Sequence, residues 1–193
     1  SGYESGGYGL IELDGKITHR AEEAGKIAQI IHRNREAILS STPQRSQIAV
    51  MYNPLAQMVG GEQNSGPAGG MRDSLIGYYR AFSEAGIPMD FVHRREVETG
   101  LAPQYKLLIL PYPIMLTPEA AAGVRRFVEQ GGFAVSEARL AWNDARGAAT
   151  PVVPGMGLSE VFGVRETKVK MGDAIPMKVS AEQHPVTAGL QDQ

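Results

Sequence analysis

The chain contains no cysteine among its 193 residues, and that absence removes several kinds of chemistry. It excludes disulfides, thiolate zinc sites and a cysteine nucleophile, and it agrees with a cytoplasmic location. A dominant charge is also missing, because 19 basic and 21 acidic side chains give a formal net charge of -2 and no window concentrates either sign. Neither nucleic acid nor an anionic membrane is therefore an expected partner.

Long apolar runs are absent as well. No stretch approaches the roughly 20 apolar residues that span a bilayer, and the N-terminus lacks the pattern of a signal peptide. With 42% hydrophobic residues, the composition is that of a globular protein with one full domain and part of another. Because the sequence starts without Met and stops at "LQDQ" with no closing helix or strand pattern, we expect it to be a piece of a longer protein.

The N-terminal part of the chain predicts one strand followed by one helix. "YGLIELDGK", residues 8–16, has strand length and ends in an Asp-Gly turn signal. Thr18 can cap a helix over residues 19–39, where apolar residues recur at helical spacing. "SSTPQRS", residues 40–46, breaks both periodicities and is predicted to be a linker.

From residue 47 onwards, short apolar runs alternate with amphipathic helices. Parallel strands need crossover connections and bury both faces, so this pattern predicts a doubly wound α/β domain with a mostly parallel sheet. Thr117 as N-cap, Pro118 at the first position and Gly131 as a left-handed stop punctuate one helix clearly. The predicted strands are "QIAVMYN", "PMDFVHR", "YKLLILP" and "FAVSEA", and the predicted long helices are "MRDSLIGYYRAFSEAG" and "TPEAAAGVRRFVEQGG". A short helix, "GLSEVFG", and an antiparallel strand pair, "ETKVKM" and "PMKVS", are predicted to follow.

The Gly-rich loop "GGEQNSGPAGG", residues 60–70, lies where doubly wound folds bind phosphates at a helix N-terminus. Its spacing is neither G-x-G-x-x-G nor G-x-x-x-x-G-K-[ST], and it is longer than a phosphate cradle. We interpret it as a surface or interface loop, with a ligand loop as the alternative. No cofactor is predicted.

"GGFAVSEARLAWND", residues 131–144, indicates a helix stop, a buried strand and then the position at which an amidotransferase-like domain carries its nucleophile. Such an elbow, roughly G-x-C-x-G, needs glycines that are missing here. Ser136 or Glu137 would occupy it, and a serine without a base is a weak nucleophile. A dyad of Ser136 with His93 or His184 is the least favoured hypothesis, since both histidines are interpreted as solvated or capping, and no catalytic residue is predicted.

Three other candidates have structural interpretations that need no functional site. His93 and Glu96 cannot form a metal site alone, because catalytic zinc takes three protein ligands and structural zinc four, so no metal is predicted. The mixed charges of "DFVHRREVE" predict a solvated strand end and loop. Trp142, the single tryptophan, fits buried edge packing or contact with a partner.

Several stretches together resemble one family: "YGLIELDGKITHRAEEAGKIA", "IAVMYNP", "YKLLILPYPIMLTPEAAAGVRRFVEQGGFAVSEARLAWND", "GLSEVFGVRE" and "HPVTAGL". They are similar to the trimerisation domain of glycoside hydrolase family 42 β-galactosidases and to the end of the barrel before it. The resemblance covers nearly the whole chain. It implies a flavodoxin-like, class I glutamine amidotransferase-like fold over residues 47–193, linked by residues 40–46 to a strand and helix of a (β/α)₈ barrel in residues 1–39.

The resemblance also implies a function. The family's catalytic glutamates come from earlier barrel strands, so no position here inherits their roles, although Glu12 and Asp14 could border the pocket. The expectation is a non-catalytic homo-oligomerisation domain, trimeric in a parent enzyme that hydrolyses β-galactosides in carbohydrate metabolism. The alternative is a small-molecule-binding α/β module, for a sugar or nucleotide, with residues 60–70 and the strand ends as its pocket. That loop is longer and richer in glycine than the family pattern.

Overall fold

The computed structural model describes residues 9–12, 14–42, 44–59 and 70–168. The chain divides into two compact units, Ser1–Gln44 and Arg45–Gln193. Several sequence predictions fall outside the described residues: most of the Gly-rich loop, nearly all of the antiparallel pair near the end, and His184.

The first unit begins with a tight turn instead of the predicted strand. In the described part of residues 8–16, Ile11 forms only an isolated antiparallel bridge to Ile17. Gly15, at φ 84°, makes the turn between them, as the Asp-Gly signal predicts. A lone two-stranded ribbon is marginal in water, which explains why residues 9–12 and 14–16 form no extended strand.

The single helix predicted for residues 19–39 is two helices, α1 His19–Arg33 and α2 Arg35–Ser40. They meet at Asn34, whose φ of -101° and ψ of 12° lie outside the helical region and whose Nδ2 donates to the Ile30 carbonyl at 2.8 Å. An asparagine side chain that competes for backbone hydrogen bonds ends a helix in this way. The predicted cap is confirmed, because the Ala21 N–H donates to Thr18 Oγ1 at 3.3 Å.

The second unit contains a four-stranded sheet in the order β2-β1-β3-β4, with every neighbouring pair parallel. The predicted α/β class is therefore confirmed; the flavodoxin-like detail stays a prediction. The strands are β1 Ile48–Tyr52, β2 Asp90–His93, β3 Leu107–Leu110 and β4 Phe133–Ser136; the helices are α3 Pro54–Val59, α4 Met71–Glu84, α5 Arg94–Thr99, α6 Pro118–Glu129 and α7 Leu158–Phe162.

Helix α5 corrects the predicted loop in "DFVHRREVE". His93 is its N-cap: the Arg95 N–H donates to His93 Nδ1 at 3.1 Å, and the His93 N–H donates to Glu96 Oε1 at 2.7 Å. This capping box anchors a helix whose one buried residue is Val97. The pattern was missed because the capping residue is a histidine and a single apolar position gives no periodicity. Helix α3, six residues long, was not predicted either, because so short a helix shows little periodicity.

The main core lies on the side of the sheet that carries α5, α6 and α7. Helices α5 and α6 approach so closely that a Cβ at Gly123 would lie 2.0 Å from the Val97 carbonyl oxygen. Every second residue of the strands contributes to the same core, because side chains alternate between the two faces of a strand. Its largest buried members are Met51, Leu108, Leu110, Leu116, Leu140 and Leu158.

The opposite face of the sheet is covered less completely. The register places Phe91, Val50, Ile109 and Val135 in one row across the four strands. Val50 and Ile109 in the middle are buried, whereas Phe91 and Val135 at the two edges are 49% and 46% exposed. A second, small core cluster of Ala56, Met71 and Tyr112 packs with Leu75 of α4.

Candidate functional site

Ser136 and Glu137 lie where the nucleophile elbow was expected, and both are engaged by their neighbours. Ser136, the last residue of β4, donates its hydroxyl to the Glu137 carbonyl oxygen at 2.8 Å. The Glu137 side chain accepts from the Ser74 hydroxyl at 2.8 Å and from the Tyr112 N–H at 3.0 Å, both through Oε2. These bonds tie β4 to α4 and to the end of β3, so they give both residues a structural use.

The fold separates Ser136 from the one candidate base that the structure describes in this unit. His93 ends β2, and Ser136 ends β4. These strands lie at opposite ends of the described order β2-β1-β3-β4, so about 14 Å of sheet separates them at about 4.8 Å per strand. Alternation also places the two side chains on opposite faces of the sheet. His93 Nδ1 is already the acceptor in the cap of α5. The geometry therefore does not bring Ser136 and His93 together.

The backbone strain at this edge falls on other residues. A nucleophile elbow holds its residue in a strained turn, and the described non-glycine residues with positive φ at this edge are Tyr112 at 43°, Arg139 at 65° and Ala141 at 51°. The guanidinium carbon of Arg139 lies 5.2 Å from the centre of the Tyr112 ring, within cation–π range. The Arg139 N–H donates to Glu166 Oε1 at 2.7 Å. The corner is thus filled by protein contacts.

Tyr78 is the titratable group whose electrostatics reflect this corner. Burial raises the pKa of the Tyr78 phenol above its ordinary value, and the nearby Glu137 carboxylate raises it further. The phenol is therefore neutral at physiological pH and supplies no base. Sequence reasoning missed Tyr112 and Tyr78 altogether; the "LPYPIM" stretch, with prolines on both sides of a tyrosine, was the available signal of an irregular backbone.

An apolar groove of about 550 Å³ lies at the other edge of the sheet, between α4 and β2. Leu75, Ile76 and Tyr79 of α4 form one wall, and Tyr52 with Phe91 forms the opposite side. Tyr52 is held by a hydrogen bond from its hydroxyl to Gln57 Oε1 at 2.6 Å. The groove was not predicted, since its walls come from segments brought together only by the fold.

Two polar side chains at the groove take part in the cap of α5. His93 and Glu96 line it, and each accepts a backbone hydrogen bond in the capping box of α5. No group of three or more metal-capable side chains occurs in the described ranges. The groove therefore offers apolar surface and little chemistry.

The remaining sequence candidates are Trp142 in the second unit and Glu12 and Asp14 in the first. Trp142 is half-buried after β4. In the first unit, Glu12 and Asp14 lie in the exposed turn, and the Lys16 side chain and N–H hold the pKa of the Asp14 carboxyl below its usual value. Across the part of the chain that the structure describes, no helix has the length and apolar character needed to cross a membrane.

Comparisons with known proteins identify the family. Residues 44–189 match the family described as the beta-galactosidase trimerisation domain. No curated protein matches the chain significantly. Because the family match covers most of the chain, it carries the assignment, and the resemblance to the trimerisation domain is confirmed; the barrel remnant in residues 1–39 stays a prediction.

Solved β-galactosidases share the fold. The enzyme from Bacillus circulans sp. alkalophilus is 27% identical, with a TM-score of 0.61 over 79% of this chain and 22% of its own. The enzyme from Bifidobacterium adolescentis is 21% identical, with a TM-score of 0.57 over 66% of this chain and 59% of its own. A GH42 β-galactosidase from G. stearothermophilus is 20% identical, with a TM-score of 0.57 over 74% of this chain and 20% of its own. The chain thus spans between 20% and 59% of these enzymes, and it belongs to the family of β-galactosidase trimerisation domains.

Proposed function

We propose that the chain is the assembly module of a longer β-galactosidase, holding three copies of the enzyme together, and that it carries no catalytic residue. Self-association follows from the family. The observation that supports a non-catalytic role is the filled corner after β4, where the Glu137 carboxylate accepts hydrogen bonds from Ser74 and Tyr112 instead of facing a substrate. A fold does not by itself imply a function, so this proposal is argued from the residues of the site.

We further propose the domain division expected from the sequence, with residues 1–39 as a barrel remnant, 40–46 as linker and 47–193 as the trimerisation domain. The boundary between the two units, after Gln44, supports it. Exposed apolar side chains of α1 and α2 support it as well, because a barrel helix packs its apolar stripe on the barrel. These side chains are Ile27, Ile30, Ile31, Ile38 and Leu39.

For the parent enzyme we propose hydrolysis of β-galactosides in carbohydrate metabolism and a cytoplasmic location. The names of the similar structures support the substrate class. The absence of cysteine and the balanced charge support the location and the proposal that neither nucleic acid nor a membrane is a partner. We also propose that this chain needs no metal and no cofactor.

Light scattering over a range of protein concentrations tests assembly. We expect the mass to rise with concentration towards three times that of the 20.8 kDa chain. The same samples, after rigorous purification, should release no nitrophenol from nitrophenyl galactoside. A mass that stays at one chain contradicts the assembly role, and turnover that follows the protein through purification contradicts the non-catalytic role.

The alternative, a small-molecule-binding module, has one observation in its favour. The groove between α4 and β2 has a volume within the range of about 300–1,000 Å³ that is typical of ligand sites. Such sites also present a few free polar groups, and here His93 and Glu96 are engaged in a helix cap. Thermal unfolding with galactose and nucleotides tests the alternative, because a ligand at 100 times its Kd stabilises by about 2.7 kcal/mol.

A further inference from the structure

Exposed apolar side chains of α4 and β2 form one continuous surface, which we name the α4–β2 patch: Ile76, Tyr79 and Phe91. They are 41%, 52% and 49% exposed. Ile76 and Tyr79 are three residues apart on α4 and therefore share one side of the helix. All three line the same groove, so the patch is concave and able to receive a protruding side chain.

The composition of the patch is that of a protein–protein contact. Interface cores are enriched in tyrosine and phenylalanine and depleted of charge, with polar residues at the rim. The next turn of α4 supplies such a rim, where Arg80 Nε lies 3.5 Å from Glu84 Oε1 and the pair adds no net charge. A neutral rim gives no preference for nucleic acid or anionic lipid.

The position of the patch adds a second reason. Within the described sheet, β2 pairs with β1 on one side and has no strand on the other. Parallel sheets are normally covered on both faces, and an exposed edge strand invites pairing or covering by another chain. Phe91, in the middle of this edge strand, is half exposed on the incompletely covered face. Covering this corner by protein would remove both exposures.

We propose that the α4–β2 patch is the surface through which this domain binds a second copy of the chain. The inference rests on the proposed assembly function, since the family self-associates. A closed ring of three copies is head-to-tail, so the patch contacts a different surface of the neighbouring copy. In this arrangement, a side chain of the neighbouring copy enters the groove and packs against Tyr52 and Leu75, which line it.

The lack of cysteine makes the patch testable by single-site labelling, because Ile76→Cys gives the chain one thiol. Phe133→Cys is the matched control, since Phe133 lies on the same sheet face at the opposite edge and is 72% exposed. Alkylation is measured at concentrations where the wild type is dissociated and assembled. Assembly should slow labelling of the Ile76→Cys variant about tenfold when about nine-tenths of the chain is assembled, and should leave the Phe133→Cys variant unchanged.

A second variant pair measures the same surface without labelling. Tyr79→Arg should weaken assembly by about 30-fold or more, as expected for a central aromatic residue. Phe133→Arg should leave the dissociation constant within about threefold, the range of a substitution outside the contact. Circular dichroism and urea unfolding verify that both variants are folded.

The outcomes separate the two proposals. A wild-type chain that remains a monomer overturns the assembly function and the patch together. A wild type that assembles while the Ile76→Cys variant labels at its monomer rate, or while only the Phe133 variants are affected, overturns the patch and leaves the assembly function in place.

Discussion

The backbone N–H of Tyr112 donates a hydrogen bond of 3.0 Å to Glu137 Oε2, joining residues 25 positions apart at the carboxyl edge of the sheet. Tyr112 has a φ of 43°, a strained value for a non-glycine residue. The bond gives this strained turn a fixed partner, and it also occupies the carboxylate that stands where related folds place a nucleophile. Glu137 therefore has a structural role at the position where related folds carry a nucleophile.

Glu137→Ala should lower the free energy of unfolding by about 1–3 kcal/mol, because the Tyr112 N–H and the Ser74 hydroxyl lose their acceptor. Urea unfolding measures the change. Glu129→Ala, an exposed glutamate at the end of α6, is the control and should stay within about 0.5 kcal/mol. Equal effects in the two variants would show that the corner does not depend on Glu137.

Gly123→Ala and Gly77→Ala should have opposite effects. A Cβ at Gly123 meets the Val97 carbonyl at 2.0 Å, so α5 and α6 must move apart at a cost of about 1–3 kcal/mol. Gly77 in α4 has open space, and alanine there should stabilise by about 0.5–1 kcal/mol because it is the better helix former. Thermal and urea unfolding compare the two. A tolerated Gly123→Ala would contradict the close helix contact.

Thr117→Ala should destabilise the domain by about 1–2 kcal/mol, since Thr117 Oγ1 accepts from the Ala120 N–H at 3.1 Å and donates to Glu98 Oε1 at 2.6 Å. Thr117→Ser keeps the hydroxyl and should recover most of the loss. The measurement is the free energy of unfolding in urea. If the serine variant lost as much stability as the alanine variant, the missing methyl group and not the hydrogen bonds would be responsible.

Stability should fall at alkaline pH through Tyr78. Burial raises the pKa of this phenol above its ordinary value of 10.0, so the folded state binds the proton more tightly than the unfolded state. The contribution is complete below pH 10.0 and is lost as pH rises through the raised folded-state pKa. Unfolding free energies measured from neutral to alkaline pH should fall less steeply in Tyr78→Phe. An identical slope in the variant would exclude Tyr78 as a source.

Tyr105 offers a second, independent check of the alkaline behaviour. Burial raises the pKa of its phenol, and the hydrogen bond to Asp90 Oδ2, at 3.0 Å, raises it further. Tyr105→Phe should therefore also flatten the alkaline decline. The two changes should add in the double variant, because the carboxylate that acts on Tyr78 is Glu137 and the one that bonds Tyr105 is Asp90.

The regular elements were accessible from the sequence because their signals are local. Thr117, Pro118 and Gly131 mark the bounds of α6, and the structure confirms the cap, the first-turn proline and the left-handed glycine. The four strands that the structure describes in the second unit were all predicted as apolar runs. Helices α3 and α5, of six residues each, were not predicted, because such short segments give little periodicity and α5 uses histidine as its cap.

The candidate site was only half accessible. The missing elbow glycines and the lack of cysteine in the sequence indicate that the nucleophile position is not occupied by a nucleophile. Nothing in the sequence placed Glu137 against Tyr112, or Phe91 and Ile76 on the same groove, because each pair is separated by at least 15 residues along the chain. From the sequence, His93 was predicted to be a solvated or capping residue, and the structure shows that it caps α5.

By itself, the sequence determined the α/β class, most helix and strand positions and the absence of thiol chemistry, since hydrophobic periodicity, caps and composition act over a few neighbouring residues. Only the tertiary structure decided the order β2-β1-β3-β4, the filled corner at Glu137 and the groove beside Phe91. The physical reason is that a strand's spatial neighbours are chosen by the burial of faces far apart in the chain, and local pattern carries no record of that choice.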